Sequence, residues 1–349
     1  MPATRQWQPK LLREMAESSS VAPAATEAIA ATPALHKGWL AKIGFPVAVA
    51  IAYGIHTAIS REEPVLETRN YSIFLAGLGG LGLLAAVLQF ILPAFRRWMK
   101  DMWPILSAAV LLFAGFEIVT TGLRLLPLPY FPSPPKILQS AIDDRALIWE
   151  STYHSLFLLA RGYLLGVLAG IVTGVCIGWF RTARYWGMPV MKIVGPIPAT
   201  AWIPLALILS PSATLSAICL IAIAVWFPVT MLTASGIANT RSSYLDVART
   251  LGARPSYLIF RVAIPAAMPN IFLGLFMGLG AAFLTLVVAE TVGVKSGLGW
   301  YLGWAREWAE YGKVFAALGI MAIFFSTIMT CLFALRDRVL VWQKGTIKW

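Results

Sequence analysis

The chain has 349 residues, 58% of them hydrophobic and only 13% charged, with a formal net charge of +12 and a mean hydropathy of +0.74. Soluble domains carry about 25% charged residues, so a water-solvated globular fold is excluded and the working unit is the membrane span of about 20 apolar residues. The basic excess then belongs to loops facing anionic lipid and not to a nucleic-acid surface. Three isolated cysteines (Cys176, Cys219, Cys331) and three scattered histidines (His36, His56, His154) offer neither a disulfide framework nor a metal site.

Residues 1–38 are rich in Ala, Ser, Thr and Pro and lack an early apolar core. They read as a mobile cytoplasmic tail, not as a cleavable signal peptide. Apolar runs of spanning length follow at about 40–59, 71–92, 104–126, 152–180, 188–209, 214–236, 266–290 and 314–335. They predict an all-α polytopic membrane protein with about eight transmembrane helices. Between the third and fourth runs, 127–150 opens on prolines that cannot be helical and becomes a short interfacial helix.

The fourth run carries Gly162, Gly166, Gly170, Gly174 and Gly178, one every fourth residue. In lipid this spacing makes a flat stripe for close approach of another helix. Static packing and a sliding surface during transport are both open, with packing favoured. Gly274 and Gly278 repeat the device in the seventh run. The fifth run is broken by Pro196, Pro198, Pro204 and Pro211. Broken backbone at membrane depth is tolerated where it is buried in protein or lines a wet cavity, so the segment is either a kinked structural helix or a bent, pathway-lining one with Trp202 as a lining residue. Thr285 joins these pathway candidates. Among the ionisable residues inside runs, four stand out: Lys42, Glu117, Arg161 and Glu290. Lys42 is placed to snorkel, Glu117 and Arg161 lie deeper and could pair, and Glu290 sits where water or a solute could reach it. After the seventh run, 291–313 is rich in Trp and Tyr and suits a helix at the outer interface.

With the N-terminus inside, cytoplasmic segments hold 18 Lys and Arg and the opposite side 8. The bias sets both termini in the cytoplasm, together with the polar break at 237–265. There, Asp246-Val247-Ala248 is followed by three residues, Gly252, nine residues and Val262-Ala263-Ile264-Pro265. Asp246 lies near the start of a short amphipathic helix, where it complements the helix N-terminus. Gly252 permits a turn, and Pro265 marks re-entry into the membrane.

This spacing resembles the cytoplasmic loop of permease subunits of ABC importers: Glu-Ala-Ala, three residues, Gly, nine residues, Ile-x-Leu-Pro. Every gap is kept. Asp, Val, Val and Ile replace Glu, Ala, Ile and Leu, and Val247 is bulkier than the usual Ala. From about Tyr130 to Trp342 the chain is similar to the nitrate/sulfonate/taurine/bicarbonate-type permeases, through "FPSP" (Phe131–Pro134), "PIPATAWIPL" (Pro196–Leu205), "FPV" (Phe227–Val229), "IPAAMP" (Ile264–Pro269), "VVAETVG" (Val287–Gly293) and "GLG" (Gly297–Gly299). It departs from them in having "LSPSATL" where a Trp-Phe-Gly-like turn is usual, and in the two runs of 39–92.

The resemblance implies a type I importer permease fold, with residues 93–349 as a six-helix domain; it says nothing of the two extra helices of 39–92, for which docking a partner and anchoring the chain are equally open. It implies two permease chains forming the pathway, most simply a homodimer, in a bacterial inner membrane. ATP-binding cassette subunits carrying ATP and Mg would dock on the cytoplasmic loop through Asp246, Val247, Ala248, Gly252, Ala253 and Pro265, and an external binding protein would deliver the solute. The sequence holds no G-x-x-x-x-G-K-[ST] phosphate loop, so ATP hydrolysis is expected on the partner and no cofactor on this chain. The solute implied is a small anion such as nitrate, a sulfonate, taurine or bicarbonate, although neutral heterocycles belong to the same branch. An ion-coupled secondary transporter or channel is the alternative. It would call for paired mid-membrane acids and inverted repeats, and neither is visible. A membrane-embedded enzyme would need a nucleophile or metal cluster, which is also lacking.

Overall fold

The structure is a computed structural model that describes residues 40–60, 68–91, 93–126 and 129–343. The expected tail at 1–38 and the side chain of Lys42 lie outside the described residues. The described chain is helical: α1 (Leu40–Ser60), α2 (Arg69–Ile91), α3 (Pro93–Glu117), α4 (Pro134–Asp143), α5 (Arg145–Trp179), α6 (Arg181–Val194), α7 (Ile203–Leu209), α8 (Ala213–Ala238), α9 (Ser242–Thr250), α10 (Ile264–Val292), α11 (Leu298–Glu307) and α12 (Tyr311–Val339). A π-helical turn, Leu258–Ala263, leads into α10. α4 begins inside the proline run, because Pro134 and Pro135 occupy its first turn, where a missing N–H costs nothing.

The chain divides into two compact units. The first holds α1, α3 and most of α2, so the domain boundary expected at 92/93 falls within it. Phe45, Val49, Met99 and Trp103 form its apolar centre. It also holds a buried polar contact: Glu117 Oε1 lies 2.6 Å from His56 Nδ1, and His56 Nε2 lies 3.1 Å from Ser72 Oγ. His56 and Glu117 are almost fully buried. Each of the three helices thus contributes one polar group, and a charged or polar side chain at this depth persists where it finds such partners. Glu117 thus meets His56, where the sequence left a pairing with Arg161 open. Arg161 is exposed, with its guanidinium over the Phe157 ring.

The second unit is built around α8. Each glycine of the α5 ladder faces one side chain of α8: Gly162 meets Ile221, Gly166 Val225, Gly170 Val229, Gly174 Thr233 and Gly178 Ile237. A Cβ added at any of the five would stand only 2.6–2.7 Å from the partner's Cβ, closer than real Cβ atoms come. Lipid supplies no hydrophobic drive between helices, so this backbone-to-side-chain contact, not transfer from water, holds them together. Across α8, Gly274 and Gly278 of α10 lie against Val229 and Val225. These two valines are therefore clasped from both sides, in the buried cluster that also contains Leu158, Ala282 and Leu286. Tyr163 ties α5 to α10 by donating to the Leu275 carbonyl (3.0 Å), and Trp226 ties α8 to α5 by donating to Thr173 (3.0 Å).

The pairing order of the ladder makes α5 and α8 parallel. The chain between them must therefore cross back over the whole length of the pair. It does so as α6 and α7, bent by 84° at a short break. The run at 188–209, expected to be kinked or bent, is thus two half-helices. Six helices among the described residues are long and apolar enough to span, the bent pair makes a seventh candidate, and α1 contributes the shorter apolar stretch Ile43–Ile59.

The interlock predicts opposite outcomes for two glycines of the same class. Gly170→Ala forces a methyl into Val229 and is expected to destabilise the chain by about 1–3 kcal/mol, read as a lower melting temperature in detergent. Gly280→Ala enters open space and should leave the melting temperature unchanged or raise it.

Candidate functional site

Three features gather the residues singled out in the sequence: an exposed helical turn, the break between α6 and α7, and a buried carboxylate at the far end of α10.

The exposed turn is α9 and the segment that returns to α10. α9 buries none of its residues fully. It is held by a closed set of backbone bonds at its end: Leu251 N–H donates to Val247 O (3.2 Å), Gly252 N–H to Arg249 O (2.9 Å) and Ala253 N–H to Ala248 O (3.0 Å). With Gly252 at φ +80°, this is a Schellman ending, in which the residue after the cap must be left-handed. The requirement on Gly252 is purely conformational, since a Cβ there would meet nothing. Pro265 sits in the first turn of α10.

Asp246 departs from expectation. α9 begins at Ser242 and has no acid in its first turn, so Asp246 lies beyond the reach of the helix N-terminus and pairs instead with Arg249 at 3.1 Å. Both partners are exposed, and such a pair contributes little. Ala248 is half-buried, whereas Val247 is 61% and Leu251 83% exposed. Together with Tyr244, Tyr257 and Phe260 they line an open groove of about 760 Å³. A nine-residue helix is marginal in water by itself, and exposed apolar surface of this kind is typical of protein, membrane or ligand contacts.

The break lies at Gly195–Pro198. Gly195 packs on the Phe227 ring, near the middle of α8. Pro196 and Pro198 are exposed and lack N–H groups, Pro204 is exposed in the first turn of α7, and Trp202 is half-buried. Opened backbone at this depth fits protein that lines a wet path. Arg184 donates to the Ile177 and Gly178 carbonyls and so caps α5. Lys192, one turn before the break, is exposed.

Glu290 and Thr285 are not exposed to any path. Thr285 is buried and donates to the Ala281 carbonyl one turn earlier (2.9 Å). Glu290 is buried and accepts two bonds: from Ser155 Oγ on α5 to Oε1 (2.7 Å) and from the Gly299 N–H at the start of α11 to Oε2 (2.7 Å). Ser155 in turn accepts from the Leu298 N–H (2.8 Å). The Gly-Leu-Gly motif is explained by this contact. A side chain at Gly297, whose φ is +116°, would strike the Glu290 carboxyl, and one at Gly299 would lie 2.5 Å from the Val287 carbonyl. Sequence reasoning missed Ser155, because nothing in a serine 135 residues away marks it as the partner.

Long apolar helices of spanning length, one of the spans broken, and an exposed helical turn describe a polytopic membrane protein. The chain belongs to the family of binding-protein-dependent transport system inner membrane components, whose model matches residues 162–340. A Bacillus subtilis permease named for aliphatic sulfonates is 31% identical over 258 residues, 72% of this chain and 91% of that protein. The taurine transport system permease protein of Escherichia coli is 29% identical over 262 residues, 71% of this chain and 94% of that protein. The bicarbonate transport system permease protein of a Synechocystis strain is 32% identical over 149 residues, 43% of this chain and 53% of that protein. The chain is thus a membrane-spanning permease component of the ABC importer class.

The Schellman ending makes Gly252 a local determinant. Gly252→Val places a β-branched residue at positive φ at a cost of about 1–2 kcal/mol or more. Amide hydrogen exchange across Tyr244–Ala253 should then speed up by roughly tenfold or more, with the α5–α8 amides unchanged. Unaltered exchange in the turn would contradict this reading.

Proposed function

We propose that this chain forms the translocation pathway of an ATP-driven importer, with a second copy of itself, and that it receives work through the α9 turn. The observation that carries the reading is the exposed turn. α9 is a helix with almost no support from its own chain, yet it shows an apolar groove and a rigid glycine-closed end. No phosphate-binding loop occurs in the sequence, so the work of transport must enter by contact. An ATP-binding subunit, carrying ATP and Mg, would seat Val247, Leu251 and Phe260 in its surface. The charge bias supports a cytoplasmic position for this turn and for both chain termini. An external binding protein would meet the opposite face, and lipid would cover the remaining apolar sides.

The break between α6 and α7 is the proposed pathway wall, with Pro196, Pro198, Trp202 and Pro204 near it. Glu290 and Thr285, proposed from sequence as pathway residues, are better read as structural. A small oxyanion is the proposed solute. Two features support it: the charged residues from Arg181 to Leu215 are Arg181, Arg184 and Lys192, all cationic, and the relatives are named for sulfonates, taurine and bicarbonate.

The test is Leu251→Asp in the complete transporter. Loss of one central apolar contact costs about 2 kcal/mol, or roughly 30-fold in docking affinity. The variant should therefore reach the membrane, lose the ATP-binding subunit on purification and lose uptake. Normal copurification and uptake would overturn the docking role. Solute-stimulated ATP hydrolysis, screened across nitrate, sulfonates, taurine, bicarbonate and neutral heterocycles, tests the solute class, with stimulation by a neutral heterocycle alone as the contrary result.

A further inference from the structure

The bonds around Glu290 join three helices at one point: α5 through Ser155, α10 through Glu290 itself, and α11 through the Leu298 and Gly299 amides. All four residues are buried or enclosed, with Ser155 at 0% and Glu290 at 1% exposure. A carboxyl group in such a setting is costly unless its oxygens are bonded. An apolar residue of the same size would hold the helices together at less cost. What the carboxyl adds is direction: its two oxygens accept from fixed donors on different helices and allow one placement of α11 on the end of α10. The amide at the start of α11 also favours the negative end of a partner. α11 is held at a second point, where Tyr301 donates to Asp144 (2.8 Å) and Lys313 lies 3.2 Å from the same carboxylate. Burial and then the facing Asp144 raise the Tyr301 pKa well above its ordinary value, so its hydroxyl remains a donor.

The location matters as much as the bonds. One turn beyond Glu290, Gly293 packs on Leu207 of α7, with an added Cβ only 2.9 Å from the Leu207 side chain. α7 is the second half of the broken span, and Ser216 fastens it to α8 by donating to the Ala206 carbonyl (2.9 Å). The position of α7 is thus set against the same end of α10 that the Glu290 bonds hold.

We propose that Ser155, Glu290 and the Gly297–Gly299 turn form a latch at the mouth of the pathway remote from α9. Glu290 and Ser155 are positioning residues: through the end of α10 they keep α7 closed against Gly293 until the transport cycle opens it. The latch rests on the reading that the broken span lines the pathway. It differs from a solute-binding role for Glu290, because the carboxyl oxygens are already occupied by protein donors.

The test uses the complete transporter in vesicles, in a background with Cys176, Cys219 and Cys331 replaced and Leu207→Cys introduced. Labelling of that cysteine by a membrane-impermeant thiol reagent is followed with and without nucleotide, alongside uptake per ATP hydrolysed. In the parent, labelling is expected to change with nucleotide state. In Glu290→Gln and in Ser155→Ala the closed state should open, with labelling in the resting transporter faster by about tenfold, the effect of losing one buried hydrogen bond. Uptake per ATP should fall by a similar factor while assembly is retained. The double variant should be no worse than the stronger single one, and Thr327→Val, on the exposed side of α12, should match the parent. Parent-like labelling and coupling in Ser155→Ala, the smaller of the two changes, would overturn the latch. A cysteine at 207 whose labelling never changes with nucleotide would instead overturn the pathway reading, and the latch with it.

Discussion

The structure depends on one contact repeated five times: a glycine of α5 set against a branched or β-substituted side chain of α8, with no methyl between the two backbones. Between helices in lipid the hydrophobic effect has nothing to offer, because the surrounding chains are as apolar as the helix faces. What remains is dispersion at close range and the fit of ridges, and a gap of about 0.5–1 Å already forfeits about a quarter to a half of the dispersion. Val225 and Val229 take part twice, since Gly278 and Gly274 of α10 close on them from the other side. α5, α8 and α10 thus form an interlocked block, and sliding one helix past another would drive each side chain of α8 into backbone. The sequence left packing and sliding open for this stripe, and the contact distances favour packing.

The other features take their places from this block. Because α5 and α8 run parallel, the chain must recross between them, and it is this recrossing that contains the break at Gly195–Pro198. α8 and α10 run on into the α9 turn at one end, so a force on Leu251 or Val247 reaches the block through two helices. At the other end α10 carries Glu290, bonded to α5 and α11, and Gly293, against α7. The α9 turn and the Glu290 bonds therefore lie at opposite ends of the same block, with α7 packed on it at Gly293. The first unit has its own apolar centre and its own buried polar contact at His56 and Glu117.

The legible part of the molecule was what local spacing encodes. Glycines every fourth residue announced a close contact, the prolines at 196 and 198 announced a break, and Asp246 to Pro265 announced the helical turn by their gaps alone. Partners across the fold were not legible. Nothing near Gly170 names Val229, and nothing near Glu290 names Ser155. Glu117 sits 61 residues from His56, and no local pattern joins them. The pairing of Asp246 was hidden for a different reason. A helix start moved by one turn converts a charge that caps the helix into one that pairs along its face. Even so, the double glycine of Gly297 and Gly299 after a lone buried acid was a readable hint that the acid needed backbone close by.

The account stands on the block being rigid while the transporter works. The most direct measurement is the distance between spin labels on two exposed positions, Leu168 of α5 and Ile223 of α8, carried on only one permease chain of the complete transporter, without nucleotide, with ATP and after hydrolysis. One unchanged distance in all three states is predicted. A second distance that appears with nucleotide would mean that α5 moves along α8, and would contradict the interlock on which the rest is built.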